Sequence, residues 1–397
     1  MVIDRPKDRH GPPGDRIAGC GSAAEPFRAM AGPLRDVDLG HVALLPGLVN
    51  AHTHLELSYL RNRVPAGASF VAWIRAMMAV RRAHPDPNAP EIMAGVEQGI
   101  AEALRCGTAA VGDISNTLVT SRPLASSLLD GVVFNEVIGF NPEDPEALVA
   151  SAADAVRAVN ADGRGRASLA AHAPYSVAPA VMRAIAAAVD RDRLPACSVH
   201  LAESAEEVEF IRTGQGPWRQ LLEDFGAWNR AWTVPGVSPV HYLDGLGFLA
   251  PGVLAVHGVQ MAPDDLARLV SRGTTLVTCP RSNRYTGAGT PDVAQFYASG
   301  VRVAVGTDSL ASTPDLNVFS ELAAMRALAP DVPASALLDS ATQQGARALG
   351  LDRDYGTIAP GKRARLIAVT LPARVGDVEE YLVSGIGPDQ IRWIEGE

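Results

Sequence analysis

Leu45-Pro46-Gly47-Leu48-Val49-Asn50-Ala51-His52-Thr53-His54 carries an apolar run into two histidines one residue apart. In an extended chain, positions i and i+2 point to the same face, so His52 and His54 enter one space at the end of a strand. Two imidazoles on one face suit a transition metal. An isolated His-x-His is more often a solvated strand end, so its meaning depends on whether the rest of the chain supplies further ligands in equivalent places.

It does, and in order. A single strand from Val42 into the His-x-His is followed by Phe70, Trp73, Ile74, Met77 and Met78, whose spacing predicts a helix over 69–84, its stripe serving as core or pocket wall. A second helix over 90–105 stops at Cys106-Gly107. Short apolar runs at 108–114, 131–138, 167–171, 196–199, 252–256, 274–278 and 300–305 then alternate with helical patterns at 144–159, 178–190, from 204, 263–272, 317–328 and 334–348. About eight strand–helix units predict an α/β fold, a closed (β/α)8 TIM-like barrel. His52, His54, His172, His200, His257 and Asp308 all fall at or just past the C-terminal end of a predicted strand, the mouth where such barrels build active sites. The expected division is a 46–350 barrel and a small β-rich domain formed by the two chain ends, 1–45 and 351–397. The segment 213–243, with Trp218, Trp228 and Trp232, reads as an insertion: a lid, a homodimer contact or a plain surface excursion.

Size and composition narrow the class. The 397 residues, 47% hydrophobic and 20% charged, are those of a globular protein with a large core. A net charge of −9 argues against a nucleic-acid backbone partner and suits a small-molecule substrate. Cys20, Cys106, Cys197 and Cys279 are scattered and form no C-x-x-C; with no apolar leader or membrane-length stretch, the expectation is a cytoplasmic enzyme with no membrane partner.

His52, His54, His200 and Asp308 make a three-nitrogen, one-oxygen set that would hold one divalent metal, Zn²⁺ first and Fe²⁺ second. Each histidine taken singly reads as a satisfied core or surface residue; the ordered set does not. Asp308 can both ligate and take a proton. His200-Leu-Ala-Glu203 places a carboxylate one turn past a ligand, where it can shuttle a proton between water and a ring nitrogen, although a first-turn glutamate is also favoured by the helix dipole. His257 closes a strand as a further histidine able to stabilise the nucleophilic water. Arg281 and Asn283, in the Cys279-Pro-Arg-Ser-Asn283 loop, are expected to face substrate. Arg281 would pair with a carboxylate or phosphate, with an ordinary ion pair as the competing reading. Glu56, Ser58 and Arg61 are expected to line the pocket. His10, His41, His84 and His241 lie off the pattern.

Together, His52-Thr-His54, His172-Ala-Pro-Tyr175, His200-Leu-Ala-Glu203, His257, Cys279-Pro-Arg-Ser-Asn283 and Gly306-Thr-Asp308-Ser309 resemble the amidohydrolase superfamily, over about residues 42–370. The branch is its chlorohydrolase, cytosine-deaminase and adenosine-type deaminase group. Dinuclear members bridge two metals with a carboxylated lysine after the fourth strand. Here His172 takes that place, and the chain has no lysine between Lys7 and Lys362. The resemblance therefore implies a mononuclear deaminase. Ligands would be His52, His54, His200 and Asp308; Glu203 and His257 would handle the proton and the hydroxide; His172 would contact the substrate ring. His54-Leu-Glu-Leu-Ser58, Phe70-Val-Ala-Trp73 and the Cys279 loop are most similar to the aminodeoxyfutalosine deaminases, which convert the adenine of 6-amino-6-deoxyfutalosine to hypoxanthine on the way to menaquinone. Family members often carry a fuller N-terminal β-sandwich than this chain. The alternatives are a deaminase of adenosine, methylthioadenosine or S-adenosylhomocysteine, a hydrolase of chlorinated or amidine-like rings, and a metal-binding protein without turnover. A zinc cytidine-deaminase fold would need His-x-Glu and Pro-Cys-x-x-Cys, which are absent.

Overall fold

The computed structural model describes residues 2–4, 15–20 and 37–394; His10 and Lys7 lie outside them. Eight parallel strands lie side by side in chain order: β4 (Leu48–Thr53), β5 (Thr108–Ser115), β6 (Asp130–Val137), β7 (Ala167–Ala171), β8 (Cys197–Leu201), β9 (Val253–His257), β10 (Thr275–Thr278) and β11 (Arg302–Val305). The first and last meet just past their ends. The Asp308 amide donates to the His52 carbonyl at 3.0 Å, the Thr53 hydroxyl to the Asp308 carbonyl at 2.9 Å, and Thr53 and Asp308 form a parallel bridge. This closes the expected barrel.

Its strands are apolar on both faces because both are covered. Val49, Ala110, Val132, Phe134, Ala170, Leu254, Val277 and Ala304 share one buried cluster, and a larger one joins the strands to the surrounding helices. Among the described residues, seven α-helices begin with proline in the first turn, at Pro90, Pro145, Pro179, Pro217, Pro239, Pro263 and Pro280, where its fixed φ fits and its missing N–H costs nothing.

The single strand expected from Val42 is two. Residues Val42–Pro46 (β3) pair antiparallel with β12 (Leu366–Thr370), which also pairs with β13 (Ile391–Ile394); after Gly47 the chain enters the barrel as β4. A Cβ on Gly47 would come 2.5 Å from the Ala109 Cβ, so only glycine makes this crossing without displacement. Two short strands, β1 (Val2–Asp4) and β2 (Arg16–Gly19), pair with each other. The two chain ends thus supply the small β-rich part. The helix expected over 334–348 is also divided, into Ala334–Ser340 and Gln343–Ala348. The Ala341 carbonyl between them accepts the Val49 amide of β4 at 2.8 Å instead of continuing a helical ladder.

Segment 213–243 contains the helix Pro217–Asp224 and the start of Pro239–Gly245. Trp218 is buried and stacks on Tyr175 with ring centroids 3.6 Å apart, and Trp232 stacks on Phe210 at 4.9 Å. Arg75 reaches Asp224 at 2.5 Å, tying the helix Phe70–Arg82 to this segment. Trp218 therefore backs Tyr175, whose ring meets His172 edge-on at 5.7 Å.

Candidate metal centre and active site

The strand ends bring the predicted residues into one place. Ligand atoms of His52, His54 and Asp308 lie within 4.8 Å of one another, as do those of His52, His200 and His257. The Asp308 Oδ1 stands 3.5 Å from His54 Nε2 and 3.9 Å from His52 Nε2. Both ring nitrogens of His52 are buried without any hydrogen-bond partner, an arrangement that is costly unless something else satisfies them. Burial, followed by the charges of His54, His200 and His257, holds His52 well below the usual histidine range. A neutral imidazole with an uncommitted lone pair is what a metal requires. The donor set therefore fits one borderline divalent ion such as zinc.

The surrounding shell fixes each donor. His200 Nδ1 donates to the His172 carbonyl at 2.9 Å, which leaves Nε2 for the cluster. The Ser282 hydroxyl donates to Asp308 Oδ2 at 2.5 Å and leaves Oδ1 facing the histidines. Ala202, His257 and Asp308 have positive φ values of 52°, 79° and 61°, uncommon for residues with a Cβ. Each lies at or just past a strand end, so the backbone is bent where the site is built.

Glu203 and His257 flank the cluster. Glu203 Oε1 is 3.5 Å from His257 Nε2, and both side chains are almost wholly buried. Burial first, and then the Asp308 carboxylate, push Glu203 well above the normal carboxyl range, whereas burial pulls His257 down to about 3. A carboxyl of raised pKa beside a neutral histidine suits proton exchange: as the carboxylate it takes a proton from water, and as the acid it gives that proton to a substrate nitrogen. His172 is likewise lowered by burial, to about 4; its Nδ1 is held by the Ser176 hydroxyl at 2.5 Å, so Nε2 is the atom left for substrate.

The residues expected to touch substrate fare differently. Asn283 is fully buried, and its amide bonds His257 Nδ1 at 2.9 Å, so it orients that histidine. Arg281 is spent inside the protein: Nη1 is 2.8 Å from Asp315 Oδ1, Nη2 donates to Thr313, and Nε is 3.5 Å from Glu321. The ordinary ion pair, the competing reading of its sequence, is what this geometry supports. Ser58 faces the helix Pro90–Arg105, where a Cβ on Gly99 would lie 2.6 Å from its hydroxyl. The tight turn Leu55–Leu60 rotates it away from the mouth. Glu56 braces the mouth, accepting from Ser115, Thr117 and Arg81, while Arg61 pairs with Glu102. His84 and His241 are satisfied by local carboxylates, as their sequence positions implied.

Sequence reading missed Glu136 at the end of β6. Its Oε1 is 3.5 Å from His200 Nδ1, and its Oε2 accepts from Asn116 at 2.7 Å. The signal was present, an acid closing an apolar strand run, the same pattern that exposed the histidines. Asn116 also accepts from Arg81, which is partly exposed at the mouth.

The sequence matches the Amidohydrolase family over residues 43–386. It is 33% identical over 348 residues to aminodeoxyfutalosine deaminase of Deinococcus radiodurans, covering 85% of this chain and 80% of that one. It is 32% identical over 362 residues to 5-methylthioadenosine/S-adenosylhomocysteine deaminase of Nitratidesulfovibrio vulgaris, covering 88% and 76%. Among solved structures, an adenosine deaminase from Xanthomonas campestris with bound zinc shares the fold at a TM-score of 0.75 and 28% identity, over 88% of this chain and 78% of that one.

Proposed function

This chain belongs to the amidohydrolase family and is a hydrolase of carbon–nitrogen bonds, and from that premise we propose that it deaminates the adenine of 6-amino-6-deoxyfutalosine. The coarser activity, deamination of an adenine nucleoside, is common to its relatives. The observation that carries it is the buried Glu203–His257 pair at 3.5 Å beside the three-histidine, one-aspartate set. A metal site serving structure alone needs neither member of that pair, and the non-catalytic alternative leaves both unexplained.

His52, His54, His200 and Asp308 would hold one divalent ion, which when bound supplies Lewis-acid activation of a water. The rest is done by the chain. Glu203 accepts the water's proton and delivers it to the ring nitrogen next to the amine-bearing carbon. His257, fixed by Asn283, donates from Nε2 toward the attacking oxygen. His172 Nε2 holds the base, and the walls of Tyr175 and Trp218 exclude bulk water. Water adds, ammonia leaves, and hypoxanthine remains. The aryl carboxylate of the proposed substrate would meet Arg81, not Arg281, because Arg81 is partly exposed beside Asn116 and Glu56, whereas Arg281 is buried among Asp315, Thr313 and Glu321.

The test is ammonia release and ultraviolet change on metal-quantified protein across a panel of adenine nucleosides that includes 6-amino-6-deoxyfutalosine. Strong preference for that compound supports the assignment. Faster turnover of methylthioadenosine or S-adenosylhomocysteine would retain the mechanism and replace the substrate. Ammonia from none of them would overturn the reading.

A further inference from the structure

Glu207 has no part in the chemistry above, yet it is fully buried, in the first turn of the helix Ala205–Thr213. Both of its oxygens are taken by backbone amides upstream: Oε1 accepts from Ala202 at 2.9 Å and Oε2 from Glu203 at 2.8 Å. Ser204 caps the helix, and its hydroxyl accepts the Glu207 amide at 3.3 Å. In the usual capping box the carboxylate three residues on answers the amide of the cap itself. Here it reaches back over the cap, to the amide of Glu203 and to that of the residue before it. The helix dipole does not ask for this, since a partly exposed first-turn acid such as Glu206 serves it without the cost of burial. Burial raises Glu207 to about 7, and hydrogen bonds from the amides of Glu203, Ala202 and Ser204 oppose that rise.

The turn it grips joins His200 to Glu203 and carries Ala202 at φ 52°, a conformation that a residue with a Cβ rarely keeps without support. The carbonyls of Leu201 and Ala202 accept from the amides of Gly258 at 3.1 Å and Gln260 at 2.8 Å, in the loop that follows His257. The turn is thus tied by its carbonyls to the strand end that bears His257, and by its amides to Glu207. Between these two holds, Glu203 Oε1 stands 3.5 Å from His257 Nε2. A proton shuttle has to stay within hydrogen-bond reach of both donor and acceptor, and a displacement of about 1 Å can cost roughly 100-fold in rate. Resting on the adenine-nucleoside reading, in which Glu203 moves the proton, we propose that Glu207 is a positioning residue for the reaction: its carboxylate fixes the backbone of Ala202 and Glu203, so that the Glu203 side chain is aimed before substrate arrives.

The experiment is a double-variant cycle on zinc-loaded enzyme, with the best adenine nucleoside of the panel as substrate. Glu207→Gln keeps the size of the side chain but offers one acceptor and one N–H₂ group where two acceptors are needed, so one amide loses its partner. Its kcat should fall by roughly 10- to 100-fold, with KM and zinc content close to those of the wild type. In the Glu203→Gln background that fall should vanish: the double variant should match Glu203→Gln to within about twofold, read by single turnover with enzyme in excess. Glu207→Asp, which keeps two acceptor oxygens on a stem one methylene shorter, should lose less and carries the same cycle if Glu207→Gln does not fold. A native kcat in Glu207→Gln would overturn the assignment. So would zinc lost in step with activity, or an undiminished further fall in the Glu203→Gln background, either of which would make Glu207 a support of the fold at large. Ammonia from no adenine nucleoside with the wild type would instead remove the reading on which the proposal rests, a separate and distinguishable failure.

Discussion

Glu203 is where the reaction can be interrupted without dismantling the site, because it touches no predicted ligand and takes its raised pKa from burial and Asp308. Glu203→Gln keeps the size and burial but cannot shuttle a proton. Turnover should fall by about 10²–10⁴ with metal content near that of the wild type, read by kcat beside metal analysis. A variant that still turns over at close to the native rate would give the proton to another group. Most single residues of the site were legible beforehand, since a histidine or acid ending an apolar run is conspicuous in a linear string. Arg281, Asn283 and Ser58 were not legible in this way. Whether a polar side chain faces substrate or a protein neighbour depends on partners such as Asp315, Glu321 and Gly99, which sequence spacing does not locate.

Strands and helices were read with similar success and fail for a similar reason. The barrel strands follow from short apolar runs, and the helices from the apolar patterns between them. The break at Gly47 and the division of 334–348 arise from contacts with remote strands, β12 in one case and β4 in the other. Gly306, between β11 and Asp308, shows how little room such contacts leave. A Cβ there would lie 2.7 Å from both the Cβ and the carbonyl oxygen of His52. Gly306→Ala should force β11 away from β4, cost about 1–3 kcal/mol and lower zinc occupancy in parallel. Denaturant unfolding and metal titration on the same preparation would show it. Unchanged stability with weakened zinc binding would mean that the loop yields and the strands do not.

The molecule as a whole buries several carboxyls outside the proposed chemistry, and these set its response to pH. Burial raises Asp113 and Glu207 to about 7 and Glu321 to about 8. An acid with a raised folded pKa binds more protons in the native state than in the unfolded chain. Its contribution to stability is therefore complete below the unfolded pKa near 4 and is lost as pH rises through 7 to 8. The protein should lose stability between about pH 4 and 8, by up to about 1.4 kcal/mol per pH unit for each such group, and level off above that. Asp113→Asn should flatten that slope in a series of thermal melts, since the amide oxygen can still accept the Leu55 N–H; an unchanged slope would exclude Asp113 as a source. Metal removal should act on the whole fold as well. A ligand held only by the native state at a thousand times its Kd contributes about 4 kcal/mol, so chelation should lower Tm and zinc should restore it. An identical Tm with and without chelator would mean that the buried histidines hold no ion.

Thr53 and Asp308, which close the barrel, stand 255 positions apart in the chain. During synthesis at about 5–20 residues per second, β4 therefore waits on the order of ten to fifty seconds for its last neighbour. Throughout that interval the nascent chain displays a bare strand edge tipped with two histidines, open to stray cations and to other growing chains. The ion that completes the active site can be gripped by its full set of donors only after the final barrel strand has left the ribosome, so acquisition of metal and completion of the fold become a single late event.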